Sequence, residues 1–191
     1  MPKQQDVPLD FSPETRKQRL ITGCILVAQD ALGDPNFDST VVLLCQYGSN
    51  GAYGLVLNRP SHMPLSELFE HPPKEALATG KNRRVYLGGP VQTIELQILQ
   101  VGKEAVPGSS EIAPGVHFGG AWNDLEEILA RDPKNLRLFL GYSGWGTGQL
   151  EKEVEMGAWE VYQVNLYKFL LGPEEPWFGG SDNFGRFFTT L

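Results

Sequence analysis

The sequence predicts an α+β domain with a mixed β-sheet, and three observations support this. The 191 residues include 22 glycines and 14 prolines, so turns are abundant. Short apolar runs rich in branched residues lie between these turns, and this pattern is typical of strands. An early hairpin has no helix between its strands, so these strands are antiparallel. Apolar residues at helical spacing in later segments complete the α+β pattern. A doubly wound parallel sheet is the alternative.

The composition predicts one self-folding domain. Hydrophobic residues make up 41% of the chain and charged residues 20%, which provides enough apolar surface for a core. The beginning of the chain is rich in proline and charge, so we expect a flexible N-terminal arm at residues 1–19 and a single domain at residues 20–191. The absence of an apolar leader from the sequence, together with only two cysteines, predicts a cytoplasmic protein.

The first part of the domain is predicted to consist mainly of strands. Residues 21–28 and 40–46 are apolar and branched, as expected of strands covered on both faces, and a loop at residues 32–38 separates them. The Asn50-Gly51 pair supplies the positive φ angles of a tight hairpin turn. Residues 54–58 then form the partner strand.

Helices and strands alternate through the middle of the chain. Leu65, Leu68 and Phe69 follow Pro64 at helical spacing and predict a short helix. Two strands are expected at residues 84–87 and 95–101, with a Gly-Gly-Pro turn before the second. Residues 103–120 are expected to be mainly loop, with one short strand at residues 116–118.

The last part of the domain repeats this alternation. Residues 123–126 have the form of a capping box, which begins a helix of about ten residues. A strand is predicted at residues 136–140 and another at residues 159–164. Between them lies a helix with Leu150 and Val154 inward. The aromatic tail after Leu166 is expected to dock on the domain.

The glycine-rich segment 141–148 is the most suggestive candidate site. A turn of this kind between a strand and a helix exposes amide donors to anions. It lacks the lysine of a P-loop, and Gln149 stands where the third glycine of a dinucleotide fingerprint belongs. Ser143 is placed like the nucleophile of an elbow motif, but Trp145 occupies a required glycine position. The segment therefore specifies neither nucleotide binding nor hydrolysis.

Four loops carry polar and aromatic residues that would line a pocket if they met at one end of the sheet. The alternative is structural: asparagine and arginine side chains tie down loop backbone, and the tryptophan belongs to the core. The candidate residues for binding a small molecule or a protein partner are Asn36, Asn58, Arg59, Gly88, Gly89, Pro90, Ser143, Trp145 and Gln149.

Residues suited to catalysis or metal binding form no recognisable pattern. The three histidines lack metal-ligand spacing, and Glu151, Glu153 and Glu155 are expected on a solvated helix face. We therefore predict no catalytic residue, no metal site and no cofactor. The net charge of −7 repels phosphate backbones and anionic lipids, so neither direct nucleic-acid binding nor membrane association is expected.

Several segments in order carry a family resemblance: residues 26–28, 34–37, 40–44, 51–60, 88–91, 141–145, 148–151 and Trp159. They resemble the AlgH/YqgE family of small bacterial proteins over residues 20–164. The resemblance implies one α+β domain whose mixed, bifurcated sheet forms a pseudo-barrel flanked by helices. It also implies an uncharacterised protein or a transcriptional regulator, a label that rests on genetic effects. The family commonly has alanine at the position of Ser143, which argues against a nucleophilic serine.

The sequence leaves three functions open. The favoured function is a non-enzymatic regulatory or adaptor domain that binds a small molecule or a protein partner through the loops around Asn58, residues 88–90 and Trp145. A hydrolase using Ser143 or Arg59 is one alternative. A transcriptional regulator acting on DNA is the other, and the acidic net charge opposes it. Taken together, the sequence features favour a non-enzymatic protein over an enzyme.

Overall fold

The structure is a computed structural model that describes residues 12–72, 74, 84–102, 105, 107–121, 124–131, 135–172, 174 and 177–178. Three short 3-10 helices lie at Asp30–Leu32, Pro35–Phe37 and Leu65–Leu68. The α-helices are α1 (Pro13–Gln18), α2 (Leu125–Arg131), α3 (Gln149–Glu155) and α4 (Leu166–Leu171). The strands are β1 (Ile25–Ala28), β2 (Val41–Gly48), β3 (Gly51–Val56), β4 (Pro60–Pro64), β5 (Arg84–Leu87), β6 (Val91–Val101), β7 (Ser109–Ala113), β8 (Val116–Gly119), β9 (Leu136–Trp145) and β10 (Trp159–Tyr162).

The strands form one branched, open sheet. Its main path runs β10-β1-β2-β3-β9-β6-β8-β7, and β4 joins it through β5, which pairs with β9. Only the β5–β9 pair is parallel among the described strands. The predicted α+β class with a mixed, bifurcated sheet is confirmed, and a doubly wound parallel sheet is excluded. The sheet does not close into a barrel, because β10 and β7 end the path without pairing with each other.

The sheet branches at β9. One edge of this strand pairs with β6, from Leu136 opposite Gln100 to Leu140 opposite Leu96. The other edge pairs first with β5, where Leu87 lies beside Leu140, and then with β3 over residues 143–145. One ten-residue strand therefore holds together the two parts of the sheet.

Side chains alternate along β9 and enter two different cores. Leu136 and Leu138 pack in a cluster with Leu125 and Leu129 of α2. Phe139 points to the opposite face and belongs to the largest cluster. This alternation is the period of two that predicted a strand at residues 136–140.

Helix α3 covers a third cluster. Leu150 and Val154 are buried, as their spacing predicted, and they pack in the same cluster as Trp145 and Trp159. This cluster also contains alternate residues of β1 and β2, because both strands are buried along their shared length. The two early apolar runs are thus central strands, as predicted.

Glycines allow the backbone to cross closely at the branch. A Cβ atom on Gly88 would lie 2.3 Å from the carbonyl oxygen of Gly141, and a Cβ atom on Gly89 would lie 2.2 Å from the backbone of Tyr142. The Gly88 N–H also donates to the carbonyl of Leu140 at 2.8 Å. No larger residue fits between these backbones, so the Gly-Gly segment is required for β5 to turn into β6 across β9.

Two segments that are far apart in the sequence, one at Arg137 and the other at residues 174–177, are in contact. Arg137 forms an ion pair with Glu174 at 2.7 Å, and its guanidinium lies 4.6 Å from the ring centroid of Trp177. Trp177 is fully buried and stacks on Phe169 at 5.1 Å. Docking of the tail therefore completes the largest core. The tail residues Phe184, Phe187 and Phe188 lie outside the described residues.

Helix α1 lies within the predicted N-terminal arm. Its Arg16 forms an ion pair with Glu160 at 2.6 Å, and Lys17 forms one with Glu155. Ser12 caps the helix by accepting a hydrogen bond from the Thr15 N–H at 3.3 Å. Residues 1–11 lie outside the described residues, so the arm and its boundary at residue 19 stay a prediction.

Several elements differ in detail from the sequence expectations. The β2–β3 hairpin pairs Gly48 with Gly51, so its turn is at residues 49–50, and the positive φ of 118° falls on Gly51 rather than on Asn50. Segment 103–120 contains two strands, β7 and β8, where one was expected. The helix after Pro64 is a 3-10 turn. Asn123 of the capping box lies outside the described residues.

We expect Gly88→Ala to destabilise the fold severely, because the added methyl group meets backbone that cannot move without separating β5 from β9. Overpacking of this kind costs about 1–3 kcal/mol, and more where backbone must shift. Urea unfolding followed by circular dichroism measures the change in the free energy of unfolding. Gly48→Ala is the matched control, since a Cβ atom there meets nothing within 4 Å. Equal stabilities of the two variants would contradict the proposed crossing.

Candidate functional site

The end of β9 and the β2–β3 hairpin form an open groove, here called the hairpin groove. Two tyrosines dominate it: the rings of Tyr53 and Tyr142 stack with centroids 4.2 Å apart and an interplanar angle of 17°. The groove has a volume of about 480 Å³. Its lining residues are Gln46, Asn50, Gly51, Ala52, Tyr53, Val91, Tyr142, Gly144 and Trp145.

Strand register produces this groove. Tyr53 of β3 lies directly opposite Gly144 of β9, so both residues belong to the same sheet face. Tyr142 lies two residues before Gly144 and therefore shares that face. Gly144 is exposed, and because it has no side chain, the Tyr142 ring can lie close over its backbone. A Cβ atom there would lie 3.3 Å from the Tyr142 ring.

The Tyr53 phenol stays protonated at physiological pH. Burial raises its pKa most, and the nearby Cys45, Tyr142 and Glu95 raise it further. A neutral phenol can donate and accept a hydrogen bond. The groove therefore offers aromatic surface and polar uncharged groups, and its described lining residues include no lysine or arginine.

A second cavity of about 450 Å³ lies on the other side of the hairpin tip. It shares Gln46, Asn50 and Gly51 with the hairpin groove. Glu111 and Ile112 of β7 line it across from the hairpin. The tip of the hairpin therefore projects between two concave surfaces.

Asn58 has a structural role. Its Oδ1 accepts the N–H of Val41 at 3.0 Å. Its Nδ2 donates to the carbonyls of Ser39 at 2.8 Å and Trp177 at 2.7 Å. Both the oxygen and the nitrogen of the Asn58 amide are therefore hydrogen-bonded. These bonds connect the start of β2 to the C-terminal segment.

Arg59 and Asn36 lie close to Asn58 and stabilise the same loop. Arg59 donates to the backbone carbonyl of Asn36 and to that of Asp38 at 3.1 Å. The Asn36 N–H donates to the Asp34 carboxylate at 2.8 Å. The structure thus brings Asn36, Asn58 and Arg59 together. The side chains of Asn58 and Arg59 hydrogen-bond backbone groups, as the structural alternative predicts.

Ser143 lies in the interior with the residues of the Gly-Gly-Pro turn. It is fully buried, and its Oγ donates to the Gly88 carbonyl at 3.1 Å. An elbow nucleophile must be exposed at a strand-to-helix turn, whereas Ser143 lies inside a strand that continues to Trp145. Gly88 and Gly89 form the backbone crossing, and Pro90 is exposed beside it.

Trp145 and Gln149 meet at Glu153. The Glu153 Oε2 accepts the indole N–H of Trp145 at 2.9 Å and that of Trp159 at 2.8 Å. Its Oε1 accepts the Gln149 amide at 2.9 Å. The expectation that Glu153 is part of a solvated face is therefore wrong, because two buried indoles need an acceptor. The Trp145 indole is core rather than a free stacking wall.

The other two glutamates of α3 also have partners. Glu151 accepts the hydroxyl of Tyr47 at 2.9 Å, and Glu155 pairs with Lys17. Burial and the neighbouring Glu151 raise the pKa of Tyr47 to about 12. Helix α3 is thus attached to the sheet and to α1 through all three carboxylates.

The nine predicted site residues lie at three separate places in the part of the chain that the structure describes. They divide among the loop at Asn58, the backbone crossing at Gly88 and the half-buried acceptor Glu153, and of the nine only Trp145 lines the hairpin groove. Sequence reasoning missed Tyr53 and Tyr142. The short alternation of Tyr142 and Gly144 is a signal for one exposed face, but the register that brings Tyr53 to it is not visible in the sequence.

The cysteines and histidines supply no reactive cluster in the part of the chain that the structure describes. No group of three or more His, Cys, Asp or Glu side chains there could hold a metal ion. Cys24 and Cys45 are buried, and burial raises the pKa of Cys24 to about 12 and that of Cys45 still further. Among the described residues, no helix is long and apolar enough to cross a membrane.

These features define an α+β protein with an open, branched sheet and a groove at one hairpin. The chain belongs to the AlgH-like family, which matches residues 25–178. It is 41% identical over 152 residues to a UPF0301 protein of Streptomyces avermitilis, covering 75% of each chain. It is 36% identical over 159 residues to one of Thioalkalivibrio sulfidiphilus, covering 82% of this chain and 85% of the relative.

Solved structures share the fold. The solution structure of the AlgH protein from Pseudomonas aeruginosa is 26% identical, with a TM-score of 0.67, and covers 98% of this chain and 91% of that one. The crystal structure of a Corynebacterium diphtheriae protein is 23% identical, with a TM-score of 0.68, and the match covers 90% and 87% of the two chains. The family predicted from the sequence is confirmed.

We expect Glu153→Ala to lower the free energy of unfolding by about 2–4 kcal/mol, because two buried indole donors lose their shared acceptor. Glu153→Gln should cost less, since its carbonyl oxygen still accepts. Chemical denaturation followed by tryptophan fluorescence measures both changes. Glu155→Ala removes an exposed ion pair from the same helix and should cost under about 1 kcal/mol. A loss at Glu155 as large as that at Glu153 would contradict this assignment.

Both thiols should react with a disulfide reagent at pH 8 only as fast as the protein unfolds, since the thiolate is the reactive form. The ordinary thiol pKa is 9.0, and the folded thiols bind their protons more tightly. The free energy of unfolding should therefore fall as the pH rises above about 9. Thiol titration in native buffer and in guanidinium checks the first expectation. Fast labelling of native protein would contradict the burial of these residues.

Proposed function

We propose that this protein is a non-enzymatic regulatory or adaptor domain that binds a protein partner through the hairpin groove. The observation that supports it is the pair of stacked, half-buried tyrosines beside the exposed backbone of Gly144. Aromatic rings with neighbouring polar groups are typical of protein-recognition surfaces. The proposal assumes the cytoplasmic location that the sequence predicts.

The shape of the groove favours a protein over a small molecule. Small-molecule sites enclose most of the ligand surface, whereas the hairpin groove and the second cavity are open to solvent. A side chain held by the rest of a partner protein can bind in such an open groove. A free small molecule gains less from it.

The two alternative functions have weaker support. A serine hydrolase needs an exposed nucleophile, and Ser143 donates its proton to a backbone carbonyl in the interior. DNA binding needs cations that are available to phosphates. Arg16 and Lys17, which belong to a basic cluster of the sequence, instead form ion pairs with Glu160 and Glu155.

Gly144→Leu should weaken partner binding without unfolding the protein, because its side chain would displace the Tyr142 ring, which lies 3.3 Å from a Cβ atom at this position. A photo-crosslinking amino acid at Gln46 identifies partners in the cell, and calorimetry with a purified partner measures affinity. We expect a loss of tenfold or more, corresponding to about 1.4 kcal/mol or more.

Gly146→Leu is the matched control on the same chain segment. Within 4 Å, a Cβ atom at Gly146 meets only the end of the Gln149 side chain, at 3.9 Å. Both variants must retain the wild-type unfolding transition. Partners that bind Gly144→Leu as tightly as wild type would overturn the proposed function.

A further inference from the structure

We propose that the hairpin groove and the second cavity recognise cationic side chains, arginine or lysine, on an exposed segment of the partner protein. This inference rests on the proposed function and specifies the chemistry of the partner. Three observations carry it: the aromatic surface of the groove, the carboxylates beside both cavities, and the character of the residues that line them.

The aromatic surface is suited to a cation. The faces of tyrosine rings carry negative charge density and attract guanidinium and ammonium groups within about 6 Å. Tyr53 stacks one face on Tyr142 and also packs against Phe118 at 5.4 Å, so the pair is held in a fixed orientation and the face left to a cation is that of Tyr142 turned away from Tyr53. A rigid aromatic pair loses little side-chain entropy when a ligand binds.

Carboxylates lie on both sides of the hairpin tip. Glu95 acts electrostatically on the Tyr53 phenol, and it lies in an irregular stretch of β6 that follows the groove residue Val91. Glu111 lines the second cavity, where its Oε1 accepts the Gly115 N–H at 3.0 Å. Each cavity therefore has an acidic group within or near it.

The described lining residues of the two cavities include no lysine or arginine. Nothing among them opposes an incoming cation, whereas an anionic ligand would meet carboxylates without a compensating charge. The whole chain carries a net charge of −7, which steers basic partners toward it. Charge complementarity thus favours a basic segment.

The two cavities share Gln46, Asn50 and Gly51, so one extended segment that crosses the hairpin tip can reach both. Amide side chains at Gln46 and Asn50 can hydrogen-bond the backbone of such a segment. This arrangement favours a peptide with two nearby cations over a single free cation, which would occupy one open cavity only.

The test uses full-length protein and fluorescein-labelled nine-residue peptides that carry two arginines in a glycine and serine background. A peptide with citrulline in place of arginine keeps the shape and removes the charge. We expect the citrulline peptide to bind about fivefold to thirtyfold more weakly in fluorescence anisotropy, the range of cation–π energies for partly desolvated sites.

Groove variants separate specific recognition from general attraction to an acidic protein. Gly144→Leu and Tyr142→Leu keep the net charge and should abolish the preference for arginine over citrulline, whereas Gly146→Leu should preserve it. Glu95→Gln should weaken arginine binding about twofold to fivefold. Glu70→Gln removes an exposed carboxylate elsewhere and should leave the affinity unchanged.

Each contrary outcome has a definite meaning. Equal binding of the arginine and citrulline peptides, both lost in Gly144→Leu, would overturn the inference and leave the proposed function standing. Arginine binding that survives in the groove variants, or no binding at all, would also overturn it, and the partner experiment would then decide the proposed function alone. If argininamide binds as tightly as the peptide, the ligand is a free cation and not a protein segment, and the inference is overturned.

Discussion

The fold depends on one close backbone contact, in which Gly88 and Gly89 pass against Gly141 and Tyr142. At this point β5 leaves the sheet, β6 enters it and β9 changes neighbours from β5 to β3. Three strands can meet only if their backbones approach to distances that exclude a Cβ atom. The arrangement of both cores follows from this meeting, because it determines which residues of β9 face each side. The hairpin groove follows as well, since the last residues of β9 reach β3 only beyond the crossing.

Local patterns were informative wherever one short segment determines its own environment. The alternation of Leu136 and Leu138 with Phe139, and the helical spacing of Leu150 and Val154, report which side is buried, and that information does not depend on partners. The β7–β8 hairpin was partly missed because exposed edge strands lack an apolar run. The branching of the sheet was accessible only through family resemblance, because strand order depends on contacts between residues far apart in sequence.

At the candidate site, too, local sequence patterns failed to identify residues that only distant contacts bring together. Asn58 and Arg59 attract attention as polar residues in a loop, yet their hydrogen bonds satisfy backbone groups around β2. Buried backbone needs such partners wherever regular pairing stops, so polar loop residues in a branched sheet are often structural. Tyr53 and Tyr142, by contrast, resemble ordinary strand residues in the sequence. Only the register of β3 against β9 places them together over a glycine.

The pairing of β1 with β10 has a consequence for biosynthesis. Residues 25–28 are apolar and leave the ribosome before residues 159–162, which form the strand that covers one of their edges. Until that strand has emerged, β1 presents an uncovered edge that can pair with a neighbouring nascent chain. The core side chain of Trp177 follows later still. Folding of this domain is therefore completed only after residues 159–177 have been synthesised.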